Sequence, residues 1–291
     1  MTNVKVTLQL RDYGGIGFTG MKSAESGRQG RFVLRRVTPG NYILSADWAA
    51  GDRQFSARQV LDVGTSNLDD VSIQITENAT MGGQIIVDSK APVDIGKPQL
   101  TLEPRDSAPT FMPTVRISDK GTFLFSNVAR DKYIINVRGL AEDLYVKSMR
   151  FAGQEVLDTG LDLTRGAAEV PVEIVLSPTG GRVNGIVVNS EMRAANGAQV
   201  VLIPEAREQE RLYKITSTDQ YGQFEVRGVA PGDYKLFAFE NIEPGDFQSP
   251  DFVKRYGNSG VKVTIRDGGR EAQQLKLISA EDAAASTGAA N

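Results

Sequence analysis

The sequence has 291 residues, of which 40% are hydrophobic and 24% charged, with a formal net charge of −3; this composition is ordinary for a globular protein. It contains no histidine and no cysteine, which excludes disulfides, His- or Cys-ligated zinc and Ser-His-Asp triads. The slight acidic excess gives no positive field to hold nucleic acid, and no run of 18 apolar residues is present that would span a membrane.

The chain begins with an alternation of apolar and polar residues from Val4 to Leu10. Successive side chains of a strand point to opposite faces, so this pattern predicts a strand with one buried face. The stretch lacks the basic start, apolar centre and cleavage site of a secretory signal. We therefore predict no signal peptide in this chain.

One pattern then recurs three times along the chain. A glycine is followed by two apolar residues at alternate positions, and a tyrosine comes twelve residues after the glycine. The three copies comprise Gly30, Phe32, Leu34 and Tyr42; Gly121, Phe123, Phe125 and Tyr133; and Gly222, Phe224, Val226 and Tyr234. A last apolar strand closes each copy, at 71–75, 172–176 and 273–277. A period of two inside a repeat of about 100 residues predicts one β-sandwich for each copy.

Two further strands precede the glycine in the second and third copies. The first strands are 83–87 and 185–188, and the second strands are 98–102 and 199–203. The first copy has only the second strand, Val4 to Leu10, and its first strand would lie before Met1. We expect this copy either to be truncated at its N-terminus or to borrow a strand from elsewhere.

These patterns predict an all-β chain of tandem immunoglobulin-like (prealbumin-like) antiparallel β-sandwiches. We place the sandwiches at 1–79, which lacks its first strand, at 80–180 and at 181–280. Residues 281–291 are rich in alanine without a strand pattern, and we predict a disordered tail there. We expect the chain to be monomeric.

The pattern Gly-x-Phe-x-(Val/Leu/Phe), followed by Val-x-Pro-Gly-x-Tyr and preceded by a Gly-x-(Ile/Val)-x-Val strand, resembles the carboxypeptidase regulatory-like domain. That family has a transthyretin-like sandwich, grouped with the carbohydrate-binding-like folds. The third copy, Gly181 to Ile278, matches best, whereas the second has Arg130-Asp131 in place of Pro-Gly. The resemblance implies a non-catalytic structural or adhesive module of a secreted or cell-envelope bacterial protein. Its implied partners are a polysaccharide or a cell-surface protein.

The alternative function is a carbohydrate-binding accessory module of a larger enzyme or receptor. Its candidate residues are aromatic rings on which a sugar could stack: Trp48, Phe247, Phe252 and Tyr256. Trp48 shares the parity of Tyr42, which favours packing at the rim of the core. Coverage of the core is also the favoured role of the other three, because exposed aromatic patches are uncommon.

An acidic set occurs in the same insert of the third copy, namely Glu240, Glu243, Asp246 and Asp251. Calcium prefers several carboxylate and carbonyl oxygens, but the spacing matches no calcium loop, so a solvated acidic loop is favoured. No carboxylate pair of the kind that hydrolyses glycosides is indicated. We predict that the chain is not an enzyme and binds no metal or cofactor.

Overall fold

The computed structural model describes residues 1–11, 21–105, 113–166, 170–206, 209–243, 245–249, 252 and 255–279. The chain divides into two compact units, which we call unit 1 and unit 2. Unit 1 comprises Met1–Ile86, Pro98–Arg138 and Ser148–Ile174. Unit 2 comprises Val87–Lys97, Gly139–Lys147 and the described part of Val175–Asn291. The tail predicted at 281–291 lies outside the described residues.

Strands dominate the described residues, so the all-β prediction is confirmed. The strands up to residue 104 are β1 (Lys5–Leu10), β2 (Lys22–Glu25), β3 (Gly40–Ala50), β4 (Arg53–Val63), β5 (Thr76–Glu77), β6 (Ala79–Val87) and β7 (Gly96–Pro104). The next are β8 (Thr114–Arg116), β9 (Thr122–Val128), β10 (Lys132–Leu140), β11 (Tyr145–Phe151), β12 (Gln154–Glu155), β13 (Leu161–Asp162) and β14 (Val172–Ser177). The last are β15 (Gly181–Val188), β16 (Gln199–Pro204), β17 (Lys214–Ser217), β18 (Gln223–Val229), β19 (Gly232–Phe239), β20 (Val261–Ile265) and β21 (Arg270–Ile278). Short 3-10 helices span Arg28–Gly30, Glu210–Leu212 and Asp246–Gln248.

The strands fall into three consecutive groups. Strands β1 to β5 form one sheet in the order β2-β1-β3-β4-β5. Strands β6 to β14 form two sheets, β13-β10-β7-β8 and β12-β11-β14-β6-β9, and strands β15 to β21 form the third group. The two compact units divide the chain at other positions, and the three domain ranges given above stay a prediction.

Unit 2 contains the sandwich of strands β15 to β21. Strand β15 pairs with β18, while β16 pairs with β17 and β19, and β19 pairs with β20, all antiparallel. The inward side chains of these strands share one core, which includes Val183, Leu202, Phe224, Tyr234 and Leu275. Strand β21 runs parallel to both of its neighbours, β15 and β19. The sequence patterns predicted antiparallel pairing alone.

The tyrosine of each copy makes the same local hydrogen bond. The hydroxyls of Tyr42, Tyr133 and Tyr234 donate to the carbonyl oxygens of Thr38, Ala129 and Ala230, four residues earlier, at 2.9, 3.0 and 2.8 Å. All three side chains are buried. Burial raises the pKa of Tyr133 and of Tyr234 to about 12. This is the arrangement of a tyrosine corner, which supports the equivalence of the three copies.

Two strands predicted in the first copy do not form. Residues 31–35, around Phe32 and Leu34, and residues 71–75 belong to no β-strand. The counterparts of these segments in the second copy, β9 and β14, both lie beside β6. A strand is held by hydrogen bonds to a neighbour, and none of the described residues of the first copy forms a strand equivalent to β6. The predictions of strands at 31–35 and 71–75 are therefore wrong, because an alternating sequence forms a strand only where a neighbouring strand can pair with it.

Candidate functional site

Trp48 lies in unit 1, on strand β3, and is half-buried. It packs partly against the core of the first copy, as its parity predicted. Its ring centroid is 5.2 Å from that of Phe55 in a tilted arrangement. The guanidinium of Arg53 lies 5.1 Å over the Phe55 ring and forms two hydrogen bonds with the Glu77 carboxylate. The tryptophan is thus part of a packed rim, and sugar binding by it stays a prediction.

The other three candidate aromatics lie in unit 2, where Phe252 and Tyr256 are buried. Both pack against Phe239, with ring centroids 5.6 and 5.1 Å from it. Their cluster covers the face of β16 and β19 that is opposite the sandwich core. Buried rings cannot offer a flat platform to a sugar, so the geometry favours coverage of the sheet.

Phe247 is half-buried and packs on the edge of the same cluster. Its ring lies 5.9 Å from that of Tyr213, with an angle of 33° between the planes. The structure therefore brings Phe247, Phe252 and Tyr256 together in one cluster, and Trp48 belongs to the other unit. The role of these residues in ligand binding stays a prediction.

The acidic set of the same insert is solvent-exposed. Glu240, Glu243 and Asp246 are all exposed, and Asp251 lies outside the described residues. Within the part of the chain that the structure describes, no group of three or more acidic residues is arranged to hold a metal ion.

A set of charged residues that sequence reasoning missed lies in unit 2, centred on Asp143. Arg182 donates to the two carboxylate oxygens of Asp143 through Nε and Nη2, at 3.1 and 2.7 Å. Arg227 donates to the same two oxygens, at 3.1 and 2.9 Å. Its Nη1 also pairs with the carboxylate of Glu142. We call this set, Glu142, Asp143, Arg182 and Arg227, the Asp143 clamp.

The backbone reinforces the Asp143 clamp. The Gly180 N–H donates to the carbonyl oxygen of Asp143 at 2.9 Å. Gly228 has φ of +63°, and a side chain there would collide with the carbonyl oxygens of Glu142 and Leu144. A glycine is needed where another backbone approaches this closely. The short segment 142–144 is therefore seated on the strands that carry Arg182 and Arg227.

The clamp shifts the titration of its carboxylate. Partial burial raises the pKa of Asp143, but the hydrogen bonds and positive charges of Arg227 and Arg182 lower it by more, so it lies below its ordinary value. The hydrogen bond to Asp143 correspondingly raises the pKa of Arg227. The clamp is a paired, ionised structural site, with no sign of a group held ready to exchange protons at neutral pH.

We expect Asp143→Asn to lower the free energy of unfolding by about 1–2 kcal/mol at pH 7, because two arginines lose their counter-charge. Because the pKa of Asp143 is lower in the folded chain than in the unfolded chain, its carboxylate stabilises the fold at pH values above the unfolded pKa of about 3.9. This contribution is lost as the pH falls through the folded pKa. The difference in the free energy of unfolding between Asp143→Asn and the parent chain should therefore shrink below about pH 4. Urea unfolding followed by circular dichroism at both pH values measures it.

Asp88→Asn is the matched control, because Asp88 also lies in unit 2 and pairs with Lys147 at 2.6 Å, but both side chains are about half exposed. Exposed pairs contribute little to stability, because solvent screens the two charges. If Asp143→Asn and Asp88→Asn lowered the free energy of unfolding equally, the Asp143 clamp would stabilise the fold no more than an exposed ion pair does.

The sequence offers a weak signal for the clamp. Arg182 follows Gly180-Gly181 at the predicted start of the third repeat, and Arg227 has the outward parity of its strand. Charged residues at a predicted domain boundary indicate a junction between domains, but they do not identify the residue with which they pair. Asp143 lies 39 residues from Arg182 and 84 residues from Arg227 in sequence.

Comparison with known proteins gives similarity at the level of solved structures alone, since no protein-family model and no curated protein matches the chain. A streptococcal ancillary pilin is 14% identical, with 94% of this chain and 91% of the pilin covered and a TM-score of 0.29. The major pilin subunit BcpA of Bacillus cereus is 11% identical, with 95% and 94% covered and a TM-score of 0.26. The minor pilin GBS52 of Streptococcus agalactiae is 11% identical, with 67% and 94% covered and a TM-score of 0.27.

TM-scores this low do not place the chain among the pilins. Among the residues that the structure describes, no helix combines the length and the apolar character required to cross a bilayer.

Proposed function

We propose that the chain is a non-catalytic structural module, made of tandem β-sandwiches, of a secreted or cell-envelope bacterial protein. The observation that carries the proposal is the Asp143 clamp. It joins Asp143, which lies between β10 and β11 of the predicted second repeat, to two strands of the predicted third repeat, within one compact unit. A bidentate guanidinium–carboxylate pair fixes orientation as well as distance, and two of them meet on one carboxylate.

A second set of polar contacts in unit 2 supports the same function. Asp267, in the turn between β20 and β21, accepts hydrogen bonds from Thr179 at 2.6 Å and from Tyr145 at 3.2 Å. The Gly268 N–H donates to the carbonyl oxygen of Thr179 at 2.6 Å. The linker residue Thr179 is therefore held in place by hydrogen bonds of both its backbone carbonyl and its side-chain hydroxyl. A short, bonded linker suits a spacer, whereas a flexible tether would have few such contacts.

The finer assignment follows the sequence resemblance. We propose that the repeats are carboxypeptidase regulatory-like domains, on the strength of the Gly-Phe-Tyr ladder and its three tyrosine corners. An adhesive role would use the loops at the ends of the sandwiches, since loops are where binding residues concentrate.

Surface labelling of intact cells tests the location. Antibodies raised against the purified chain should label intact cells of the producing bacterium or detect the chain in its culture medium. A chain that becomes accessible only after cell lysis, together with a cytoplasmic marker protein, would contradict the proposal.

Limited proteolysis tests the structural role. We expect the parent chain and Asp88→Asn to resist cleavage at 175–182, while Asp143→Ala is cut there faster. Equal cleavage of all three chains would contradict the idea that the clamp stiffens the linker.

The carbohydrate-binding alternative is tested by a glycan array. Binding that is lost in Phe247→Ala but kept in an Asp88→Asn control would favour it, since Phe247 is the half-buried ring of the cluster in unit 2.

A further inference from the structure

The residue before the first strand of the second copy and of the third makes the same backbone hydrogen bond. In unit 1, the Asn78 N–H donates to the carbonyl oxygen of Gln54 at 2.8 Å. In unit 2, the Gly180 N–H donates to the carbonyl oxygen of Asp143 at 2.9 Å. Gln54 and Asp143 both follow the tyrosine strand of the preceding copy, β3 or β10. Each linker therefore ends in an equivalent contact with the copy before it.

The strand that receives each linker is irregular at an equivalent point. Asn127 in β9 has φ of +59°, and Gly228 in β18 has φ of +63°. Beside both residues the ladder with β6 or β15 shifts register, so that β9 and β18 each carry one extra residue, as in a β-bulge. A positive φ is uncommon for any residue except glycine. Its recurrence beside the same bulge supports the equivalence of the two places.

In both units the bulge residue lies against the linker residue. The side-chain amide of Asn78 donates to the carbonyl oxygen of Asn127 at 3.4 Å. A Cβ atom on Gly180 would lie 2.7 Å from Cα of Gly228 and 2.5 Å from the carbonyl oxygen of Asp143. The preceding copy, the linker and the bulge therefore meet at one point in unit 1 and at one point in unit 2.

Different side chains hold these two meeting points. In unit 2 they are those of the Asp143 clamp, with two arginines on one carboxylate. In unit 1 the hydroxyl of Ser56, which is 4% exposed, donates to the amide oxygen of Asn78 at 2.6 Å. An amide offers both an acceptor and donors, so Asn78 bridges Ser56 of the first copy and Asn127 of the second. We call this set, Gln54, Ser56, Asn78 and Asn127, the Asn78 junction.

A half-buried ion pair joins the same two copies. Nη1 of Arg58, on β4, lies 3.7 Å from a carboxylate oxygen of Asp131, in the segment between β9 and β10. The two side chains are 20% and 18% exposed. Asp131 stands where the first and third copies have the glycine of Pro-Gly, Gly40 and Gly232. The departure of the second copy from Pro-Gly therefore supplies a carboxylate that faces the first copy.

We propose that the Asn78 junction docks the second copy on the first in the same backbone geometry that the Asp143 clamp gives the third copy on the second. The shared backbone contacts set this geometry, and the side chains at each junction select the correct neighbour. Asn78 and Asp131 are positioning residues of the first junction, as Asp143 is of the second. This inference rests on the structural role proposed above and names the residues that carry it out at the other linker.

The side chains of one junction do not fit the other. A Cβ atom on Gly228 would lie 2.5 Å from the carbonyl oxygen of Glu142, so the bulge asparagine of the second copy has no room in the third. Conversely, the counterpart of Arg227 in the second copy is Ser126, which has no positive charge to hold a carboxylate. Neighbouring repeats of one fold can misassemble, and contacts that reject the wrong neighbour prevent this.

Distance measurements between two spin labels test the docking on the full chain. The sequence has no cysteine, so Val60→Cys on the first copy and Leu124→Cys on the second, at sites that are 52% and 58% exposed, can be labelled selectively. We expect a narrow distribution of label-to-label distances in this double-cysteine chain and a broader one after Asn78→Ala. Hydrogen exchange at 76–79 should also become at least about fivefold faster in Asn78→Ala, as expected for one lost hydrogen bond.

Asn67→Ala is the matched control, because Asn67 is an exposed asparagine of the first copy, and it should leave both measurements unchanged. Two variants of Asn127 separate its backbone from its side chain. The junction uses the carbonyl oxygen of Asn127, so Asn127→Gly should keep the narrow distribution. Asn127→Val should broaden it, because a β-branched residue is strained at a positive φ. Circular dichroism confirms that the variants are folded.

Gly228→Asn tests the selection of neighbours. It puts the bulge residue of the second copy into the third, where the side chain would meet Glu142. Limited proteolysis should therefore cut this variant at 175–182 faster than it cuts the parent chain. Cleavage at the same rate as in the parent chain would refute the selection.

Three further results would overturn the docking geometry. The first is a broad distribution of distances in the double-cysteine chain itself. The second is the same distribution in Asn78→Ala as in Asn67→Ala, and the third is the same distribution in Asn127→Gly as in Asn127→Val. None of these results affects the Asp143 clamp or the cell-surface location, because proteolysis of Asp143→Ala and the labelling of intact cells test those separately.

Discussion

Gly185→Ala is expected to destabilise the third sandwich by at least about 3 kcal/mol, or to prevent it from folding. Gly185 lies in β15 between two paired strands. A Cβ atom there would overlap the carbonyl group of Gln273 and lie 2.9 Å from Cε1 of Phe224. The nearest obstacle is the backbone of the parallel partner strand, which cannot move away without breaking its ladder. Hydrogen exchange of peptides from 181–278 measures the loss.

Gly64→Ala is the control for the removal of a glycine, because it has an ordinary φ and no atom within 4 Å of its ideal Cβ. We expect the free energy of unfolding of Gly64→Ala to stay within about 0.5 kcal/mol of that of the parent chain. If Gly185→Ala were equally mild, the close packing of β15 against β21 would be refuted.

Phe224→Ala is expected to cost about 3–5 kcal/mol, since Phe224 is only 5% exposed and its removal leaves a cavity in the core. Phe32 occupies the equivalent place in the first copy but is half-buried. Phe32→Ala should cost less, about 1–2 kcal/mol, because less apolar surface returns to water. Trp48, the only tryptophan, reports the unfolding of the first copy by fluorescence, and hydrogen exchange reports the third.

Equal costs for the two phenylalanines would mean that Phe32 is as well covered as Phe224. That result would contradict the half-buried position of Phe32.

The strands that the sequence predicted well are those in which pattern and partner agree. Val6, Leu8 and Leu44 alternate with polar residues, and the structure buries all three in one core. The tyrosine spacing likewise identified a local hydrogen bond, because its acceptor is only four residues away. Period and spacing are local properties, so a single sequence displays them directly.

Pairing depends on residues far apart in the chain, and there the sequence was less informative. Phe32 and Leu34 have the same alternation as Phe224 and Val226, yet only the latter two lie in a strand. The difference is that Phe224 and Val226 lie beside β15, whereas the described residues of the first copy offer no such neighbouring strand. Asp143 is a similar case, because nothing near it in sequence indicates that two distant arginines converge on its carboxylate.

The parallel pairing of β15 with β21 affects how the third sandwich would respond to mechanical load. The ladder joins seven residue pairs, from Arg182 with Arg270 to Val188 with Lys276. Tension applied to the start of β15 and the end of β21 would pull these adjacent strands lengthwise in opposite directions. The hydrogen bonds would then be sheared together, whereas an antiparallel hairpin pulled from its open end separates one bond at a time.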